Sequence, residues 1–277
     1  MIVGYNGVDF SGSQKNKGVR TVEEEIEKAF YQNGLIAKHN FGDLAKVAWS
    51  RATRTDKRVH ALENCFSCKI QFSDHGKDYQ DSYEPLRKQV NATLPSDVKI
   101  FALNPVANRF DAKLATSHRE YSYFLPTYML VPISEFLLES PPKPITEDKD
   151  NIRVETAVTK GIKKILRKAT EADEVEDVEK FLERDMSHIS AETIAKMYAT
   201  RLSDEVKDRL EAYWKSYAGT RNYHNYTKDV KCHQMTANRF MIQMEASEYR
   251  YVNKTTMKVT EASDPDGIEF VRFYLKG

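Results

Sequence analysis

The chain has 277 residues, 40% hydrophobic and 11% aromatic, which allows one large domain or two modest ones with an ample core. Its 42 basic and 41 acidic residues leave a formal net charge of +1. Global charge therefore gives no sign of a nucleic-acid partner, and any RNA surface must come from local clustering. No run of about 18 apolar residues is present, so no membrane-spanning helix is expected; three cysteines, an odd count, argue for a reducing compartment without a disulfide framework.

Met1 to Tyr5 reads as a strand with no signal or transit peptide before it. Tyr5-Asn6-Gly7-Val8-Asp9-Phe10-Ser11-Gly12-Ser13-Gln14 is rich in glycine and small polar residues, as in a loop that approaches a ligand or a neighbouring backbone closely. Thr21-Val22-Glu23-Glu24 has the form of a capping box. Val22, Ile26, Ala29 and Phe30 fall on one helical face, and Asn33-Gly34 stops that helix. Lys46-Val47-Ala48-Trp49 predicts a hydrophobic strand, and the alternation of Phe66, Cys68, Ile70 and Phe72 predicts another. Cys65 and Cys68 form a C-x-x-C, yet on a strand they face opposite ways, and only Cys232-His233 could complete a zinc set. After a polar turn at Asp74-His75-Gly76-Lys77, a helix is expected from about Ser82, with Pro85 in its first turn and Leu86, Val90 and Leu94 inward. Pro95 ends it, and Val98 to Leu103 reads as a strand. The order is β-α-β-β-α-β, the ferredoxin-like unit, with an antiparallel sheet and both helices on one face.

Between the two middle strands lies Ser50-Arg51-Ala52-Thr53-Arg54-Thr55-Asp56-Lys57-Arg58-Val59-His60-Ala61. It sets one carboxylate, Asp56, among four cations, Arg51, Arg54, Lys57 and Arg58, and nearby positive charge favours the ionised carboxylate. Such a group on a loop suits either a nucleophile or a salt bridge that shapes a phosphate-binding loop.

The second half begins a similar pattern. Arg109-Phe110-Asp111-Ala112-Lys113 leads to Ser117-His118-Arg119-Glu120-Tyr121-Ser122-Tyr123-Phe124-Leu125-Pro126. Read as a strand, it puts Arg119, Tyr121 and Tyr123 on one face, either a core strand with tyrosines or an exposed face that stacks on bases. Pro141-Pro142-Lys143-Pro144 opens a charged helical stretch to about Ala218, with Ile162, Ile165 and Leu166 marking one helix. The acidic run from Thr170 to Lys180 would repel RNA. Val206, Leu210, Trp214 and Tyr217 mark a second helix, capped at Ser203 and stopped at Gly219. Tyr217 to Thr227 reads as an aromatic-rich surface turn, and Arg239 to Met244 and Ile268 to Leu275 as strands. The half thus reads β-α-β-β. The sequence divides as 1–108 and 109–277, the latter with a charged helical insertion at about 141–218 and lacking the last helix and strand of a complete unit.

Arg54-Thr55-Asp56-Lys57-x-Val59-His60-Ala61 resembles the R-T-D-K-G-V-H-A signature of TruA-family tRNA pseudouridine synthases, especially their eukaryotic multisite-specific branch. The opening loop is similar to that family's Y-x-G-x-x-F/Y-x-G-x-Q segment. Phe110 to Lys113 with Arg119 to Tyr123 resembles its F-D/N-A-R/K and R-x-Y-x-Y motif, and Gly219 to Thr227 its G-x-x-N-F/Y-H-N-F/Y-T loop. The resemblance implies an α+β pseudouridine synthase fold: two ferredoxin-like halves sharing a mixed antiparallel sheet, the second truncated at its C-terminus. The implied reaction is isomerisation of uridine to pseudouridine in tRNA, with mRNA or other RNA as further substrates and no cofactor. Asp56 would be the essential carboxylate, Arg54 would hold it through a charge-assisted hydrogen bond, and Tyr121 would stack on the uracil. Lys57 and Arg58, with Arg51, Arg119, Tyr123, Asn222, His224 and Asn225, would meet the RNA.

Three departures from the family pattern stand out. Arg58 replaces the glycine after R-T-D-K, at a cost of about 1–2 kcal/mol if the position needs positive φ. Thr53 occupies a place usually given to a small residue. The C-terminal H-Q-I/V-R helix is absent, by truncation or by loss. These favour the alternative reading, a catalytically degenerate relative that binds RNA or serves in a ribonucleoprotein. A plain RNA-recognition module ranks last, because the strands lack its aromatic signature. A monomer is expected over a homodimer, in the nucleus, cytoplasm or mitochondrion.

Overall fold

Residues 1–71, 83–131, 191–226 and 230–277 are described by a computed structural model. They are α+β with antiparallel sheets and form two compact units, Met1–Arg119 and Glu120–Gly277. The boundary falls after residue 119 rather than after 108, because 109–119 is tied to the first unit. Ser50 donates its hydroxyl to Asp111 (2.7 Å), and the Ala112 amide donates to Ser67 Oγ (3.2 Å).

In the first unit, β1 (Ile2–Tyr5), β2 (Ser50–Arg51), β3 (Ala61–Ser67) and β4 (Val98–Ala102) form one sheet in the order β2-β3-β1-β4. Every pairing is antiparallel, with Val3 opposite both Asn64 and Ile100. Helix α1 (Val22–Gln32) buries Val22, Ile26, Ala29 and Phe30, and α2 (Glu84–Thr93) buries Leu86 and Val90. Both faces join Val3, Tyr5, Phe66, Val98 and Ile100 in one core. Each fully buried large apolar side chain there contributes about 1.5–3 kcal/mol. Gly34 takes φ +73 just past α1, the conformation that ends a helix at low cost for glycine.

Several sequence expectations need correction. The capping box at Thr21 does not form; Thr21 Oγ1 is buried without a partner. The expected strand at 46–49 is a 3₁₀ turn, Leu44–Val47, capped by Asp43 accepting from the Ala45 amide and ended by Ala48 at φ 49. Val47 and Trp49 reach the core from this turn, Trp49 packing against Phe30 and Phe66, and only Ser50–Arg51 pairs as strand. The next strand runs over 61–67, not 66–72, so Cys68 lies past its end, and burial pushes the Cys68 thiol up to about 12. Ser82, Phe72 and the turn at 74–77 lie outside the described residues, as do the helix expected at 162–166 and the acidic run.

In the second unit, β5 (Glu120–Pro126), β8 (Gln243–Asn253), β9 (Val259–Thr260) and β10 (Gly267–Lys276) form a sheet ordered β5-β10-β8-β9. A separate ribbon pairs β6 (Gly219–Asn222) with β7 (Asn238–Met241). The strand expected at 239–244 is thus the end of β7 and the start of the long β8. Helix α3 (Ala191–Ala199) lies within the charged helical stretch expected at about 141–218, although its own residues gave no separate helix there. Helix α4 (Asp204–Lys215) begins where expected, with Ser203 Oγ accepting from the Val206 amide. Leu210 and Trp214 are half-buried, whereas Val206 is exposed. The Trp214 indole donates to the Tyr274 carbonyl (3.0 Å) and sits edge-on to Phe273.

Candidate active site

The loop 52–60 joins β2 to β3 and carries Asp56. Its approach to Asp56 is pinned from below. The Ala52 amide donates to Cys65 O (2.8 Å), and the Ala52 carbonyl accepts Nε and Nη2 of Arg119 (3.1 and 2.6 Å). Asn64 Nδ2 donates to the Thr53 carbonyl (3.1 Å). Thr55 is held at all its polar atoms. Its amide donates to Ser13 Oγ (2.9 Å), its carbonyl accepts the Ser13 amide (3.0 Å), and its hydroxyl lies 2.8 Å from the Tyr5 hydroxyl. Beyond it the chain turns, with the Val59 amide donating to Asp56 O and the Arg58 amide to Phe10 O (both 3.2 Å).

The glycine-rich opening loop is pressed against this turn. A Cβ at Gly7 would lie 2.1 Å from the Val59 carbonyl oxygen, which no other residue could accept. Gly12, at φ +105, approaches the Thr55 carbonyl. The Gly7 amide donates to His60 Nδ1 (3.3 Å). The sequence reading of 5–14 as a closely approaching loop is therefore met by the Asp56 loop itself.

Held in this way, Asp56 projects outward. Asp56, Arg54, Lys57 and Arg58 are all exposed, and among the described residues none of these side chains has a hydrogen-bond or ion-pair partner. The expected Arg54–Asp56 bond is not made. Both side chains are solvated, and an exposed pair of this kind is worth only about 0–1 kcal/mol, too little to fix two flexible groups. Arg58 sits at φ 67, the left-handed region that the third position of a type II turn requires. The strain inferred from its replacing glycine is thus present in the backbone.

Two predicted RNA contacts are engaged within the protein. Arg51 forms an ion pair with Glu23, whose buried carboxylate also accepts the Trp49 indole (3.1 Å) and the Lys15 amide (2.8 Å). Arg119 grips the Ala52 carbonyl, and it precedes β5 rather than joining the tyrosines on it.

The remaining candidates belong to the second unit. Tyr121 and Tyr123 pair with Leu275 and Phe273 across β5 and β10, share a face, and are 43% and 66% exposed. Asn222 donates Nδ2 to the Cys232 carbonyl (2.7 Å), and its Oδ1 accepts the His224 amide (3.1 Å) and lies 2.9 Å from His224 Nδ1. These two side chains shape their loop, while Asn225 is exposed. The Tyr226 phenol pKa is raised, first by its hydrogen bond with Tyr217 (3.0 Å). Among the described residues, no three His, Cys, Asp or Glu side chains are grouped to hold a metal.

Tyr5, Ser13 and Asn64 support the loop without having been singled out. Tyr5 and Ser13 stand in the opening segment; Asn64 carried one faint signal, a polar residue at an inward strand position.

No protein-family model matches the chain. It is 31% identical over 265 residues to tRNA pseudouridine synthase 1 of Kluyveromyces lactis, covering 90% of this chain and 46% of that protein. It is 29% identical over 266 residues to tRNA pseudouridine synthase 1 of Saccharomyces cerevisiae, covering 90% and 47%. Against the tRNA pseudouridine(27/28) synthase of the same yeast it is 29% identical over 241 residues, covering 82% and 60%. The chain spans about half the length of the curated relatives it matches first. Over most of its length the chain is thus similar to proteins named tRNA pseudouridine synthases, as its resemblance to the TruA family implies.

Proposed function

We propose that this chain isomerises uridine to pseudouridine in tRNA, with Asp56 as the catalytic carboxylate. The observation that carries the reading is the contrast within one loop: buried groups fix Thr55 at every polar atom, while the next residue presents a carboxylate that, like the cations flanking it, has no side-chain partner among the described residues. In the reaction the bond from C1′ to N1 of uracil breaks, the base turns, C1′ bonds to C5, and the C5 proton leaves as N1 gains one. Nothing is oxidised or reduced. Asp56 would either attack C1′ or assist deprotonation of the sugar. The nucleotide must leave its stack, at a cost of about a few kcal/mol.

Arg54 would meet Asp56 once bound RNA displaces water, because a charge-assisted bond strengthens in lower dielectric. Tyr121 would stack on the uracil, and Tyr123 and Asn225 would lie along the RNA. Lys57 and Arg58 would meet phosphate, and Arg51 and Arg119 would serve the RNA through the loop they hold. For the fold we infer the pseudouridine synthase arrangement of two ferredoxin-like halves. The β-α-β-β-α-β order with sheet β2-β3-β1-β4 supports it in the first unit, and β8-β10-β5 in the second repeats the order of β2-β3-β1. The chain would act as a monomer.

A second reading, an RNA-binding relative without catalysis, is favoured by one observation, Arg58 in the left-handed turn beside Asp56. Tritium release from tRNA carrying uridine tritiated at C5 decides between them. Release that vanishes in Asp56→Asn while tRNA binding persists supports the synthase; tRNA binding without release from the unaltered chain supports the binder.

A further inference from the structure

We propose that Asn64 and Tyr5 form a buried positioning relay that aims Asp56, with Thr55 as its last member. The proposal rests on the reading of Asp56 as the catalytic carboxylate. Asn64 is 2% exposed on β3 and Tyr5 5% exposed at the end of β1. Asn64 Nδ2 donates to the Thr53 carbonyl (3.1 Å) and to the Tyr5 hydroxyl (3.2 Å). The Tyr5 hydroxyl in turn lies 2.8 Å from Thr55 Oγ1.

The direction of the relay follows from its chemistry. The Thr53 carbonyl can only accept, so the Asn64 amide must present its nitrogen, since an oxygen there would face another oxygen. The Tyr5 oxygen then accepts from Asn64, which leaves its one proton available for Thr55 Oγ1, 2.8 Å away. The arrangement leaves Asn64 Oδ1 buried without a partner. A buried amide oxygen left unpaired costs about 1–3 kcal/mol. A leucine at position 64 would avoid that cost but could not donate to Thr53 and Tyr5. The amide is explained by what it holds: carbonyl 53 directly and, through the Tyr5 hydroxyl, hydroxyl 55, on the two residues that bracket Arg54 and precede Asp56.

Tyr5 touches no reacting atom in this scheme, so removing its hydroxyl should act on orientation alone. Misplacement of a reacting group by about 1 Å can cost about a hundredfold in rate. For Tyr5→Phe and Thr55→Val we expect kcat for tritium release to fall about tenfold to a hundredfold. KM and tRNA affinity should stay within about threefold of the unaltered chain, and Thr55→Ser, which keeps the hydroxyl, should restore kcat. A merely structural hydroxyl would lower Tm and leave kcat unchanged below the transition, so Tm and the split between kcat and KM are read together. If Asp56→Asn is inactive but Tyr5→Phe and Thr55→Val turn over normally, the relay is overturned and the synthase reading stands. If the unaltered chain releases no tritium, or Asp56→Asn releases it normally, the synthase reading itself fails and the relay falls with it.

Discussion

Glu23 and Asp56 are carboxylates of one unit in opposite situations. Glu23 is fully buried on α1, and the Lys15 amide, the Trp49 indole and the Arg51 guanidinium all converge on it. Asp56 is exposed at a turn, with cations on either side and no partner among the described residues. The two are coupled through Ser13, whose carbonyl accepts the Glu23 amide and whose own amide donates to Thr55. The difference teaches where a negative charge does structural work and where it is kept available. A charge enclosed by donors is part of the framework, and one held on a braced backbone but left unpaired suits chemistry.

Substitution should break the contrast in two directions. Asp56→Asn removes the charge without changing shape, so activity should fall at least about a thousandfold, with unfolding free energy within about 0.5 kcal/mol of the unaltered chain. A urea titration beside the tritium assay checks both, and a large loss of stability would show Asp56 to be a structural ion. Glu23→Ala should do the reverse. It leaves the half-buried Arg51 charge and two N–H donors without their acceptor, and breaking such a pair costs about 3–5 kcal/mol. The same titration reads it; an unchanged midpoint would mean that the network is replaceable by water.

How much of this was legible in the sequence follows from what each residue's neighbours in the chain could reveal. The inward face of α1 was legible because Val22, Ile26, Ala29 and Phe30 repeat at helical spacing, and the Asp56 loop because its charge cluster and motif are contiguous. The turn at 44–47 was not, since Val47 and Trp49 alternate like a strand and only packing against Phe30 and Phe66 distinguishes the two forms. Likewise Arg51 and Arg119 looked free for RNA. Their partners, a glutamate 28 positions earlier and a carbonyl 67 positions earlier, are contacts that only the folded chain brings together. Asn64 is the extreme case, one polar residue whose two partners, Thr53 and Tyr5, come from two other segments.

Arg58 sharpens the exposed side of the comparison. At φ 67 an arginine bears a penalty of about 1–2 kcal/mol that glycine avoids, and glycine's greater freedom when unfolded returns about 0.5–1 kcal/mol of it. Arg58→Gly should therefore raise stability by up to about 1 kcal/mol. If its guanidinium meets phosphate, the slope of log affinity against log salt should become shallower by about one. A stability loss would reveal a contact of Arg58 that offsets its strain, and an unchanged slope would remove it from the RNA surface.

The smallest effect concerns the enclosed carboxylate of the second unit. Glu269 accepts the Leu202 amide (3.0 Å) and the Tyr251 hydroxyl (3.0 Å), with the Lys207 ammonium 3.5 Å away. Tyr249 stands close by with a buried, unpartnered hydroxyl, and burial first, then the Glu269 charge, push its pKa from 10.0 up to about 12. A phenol with a raised folded pKa keeps its proton in the fold at a pH where the unfolded chain has lost its own. Its contribution is full below 10.0 and is lost as the pH climbs through about 12. The urea midpoint should therefore decline across that window, and Tyr249→Phe should decline less. Tyr251 is raised by burial and by its bond to Glu269, so part of the slope will survive the substitution. Equal slopes in the two proteins would mean that the Tyr249 ring opens to water before it ionises, and that the Glu269 network is less closed than the one around Glu23.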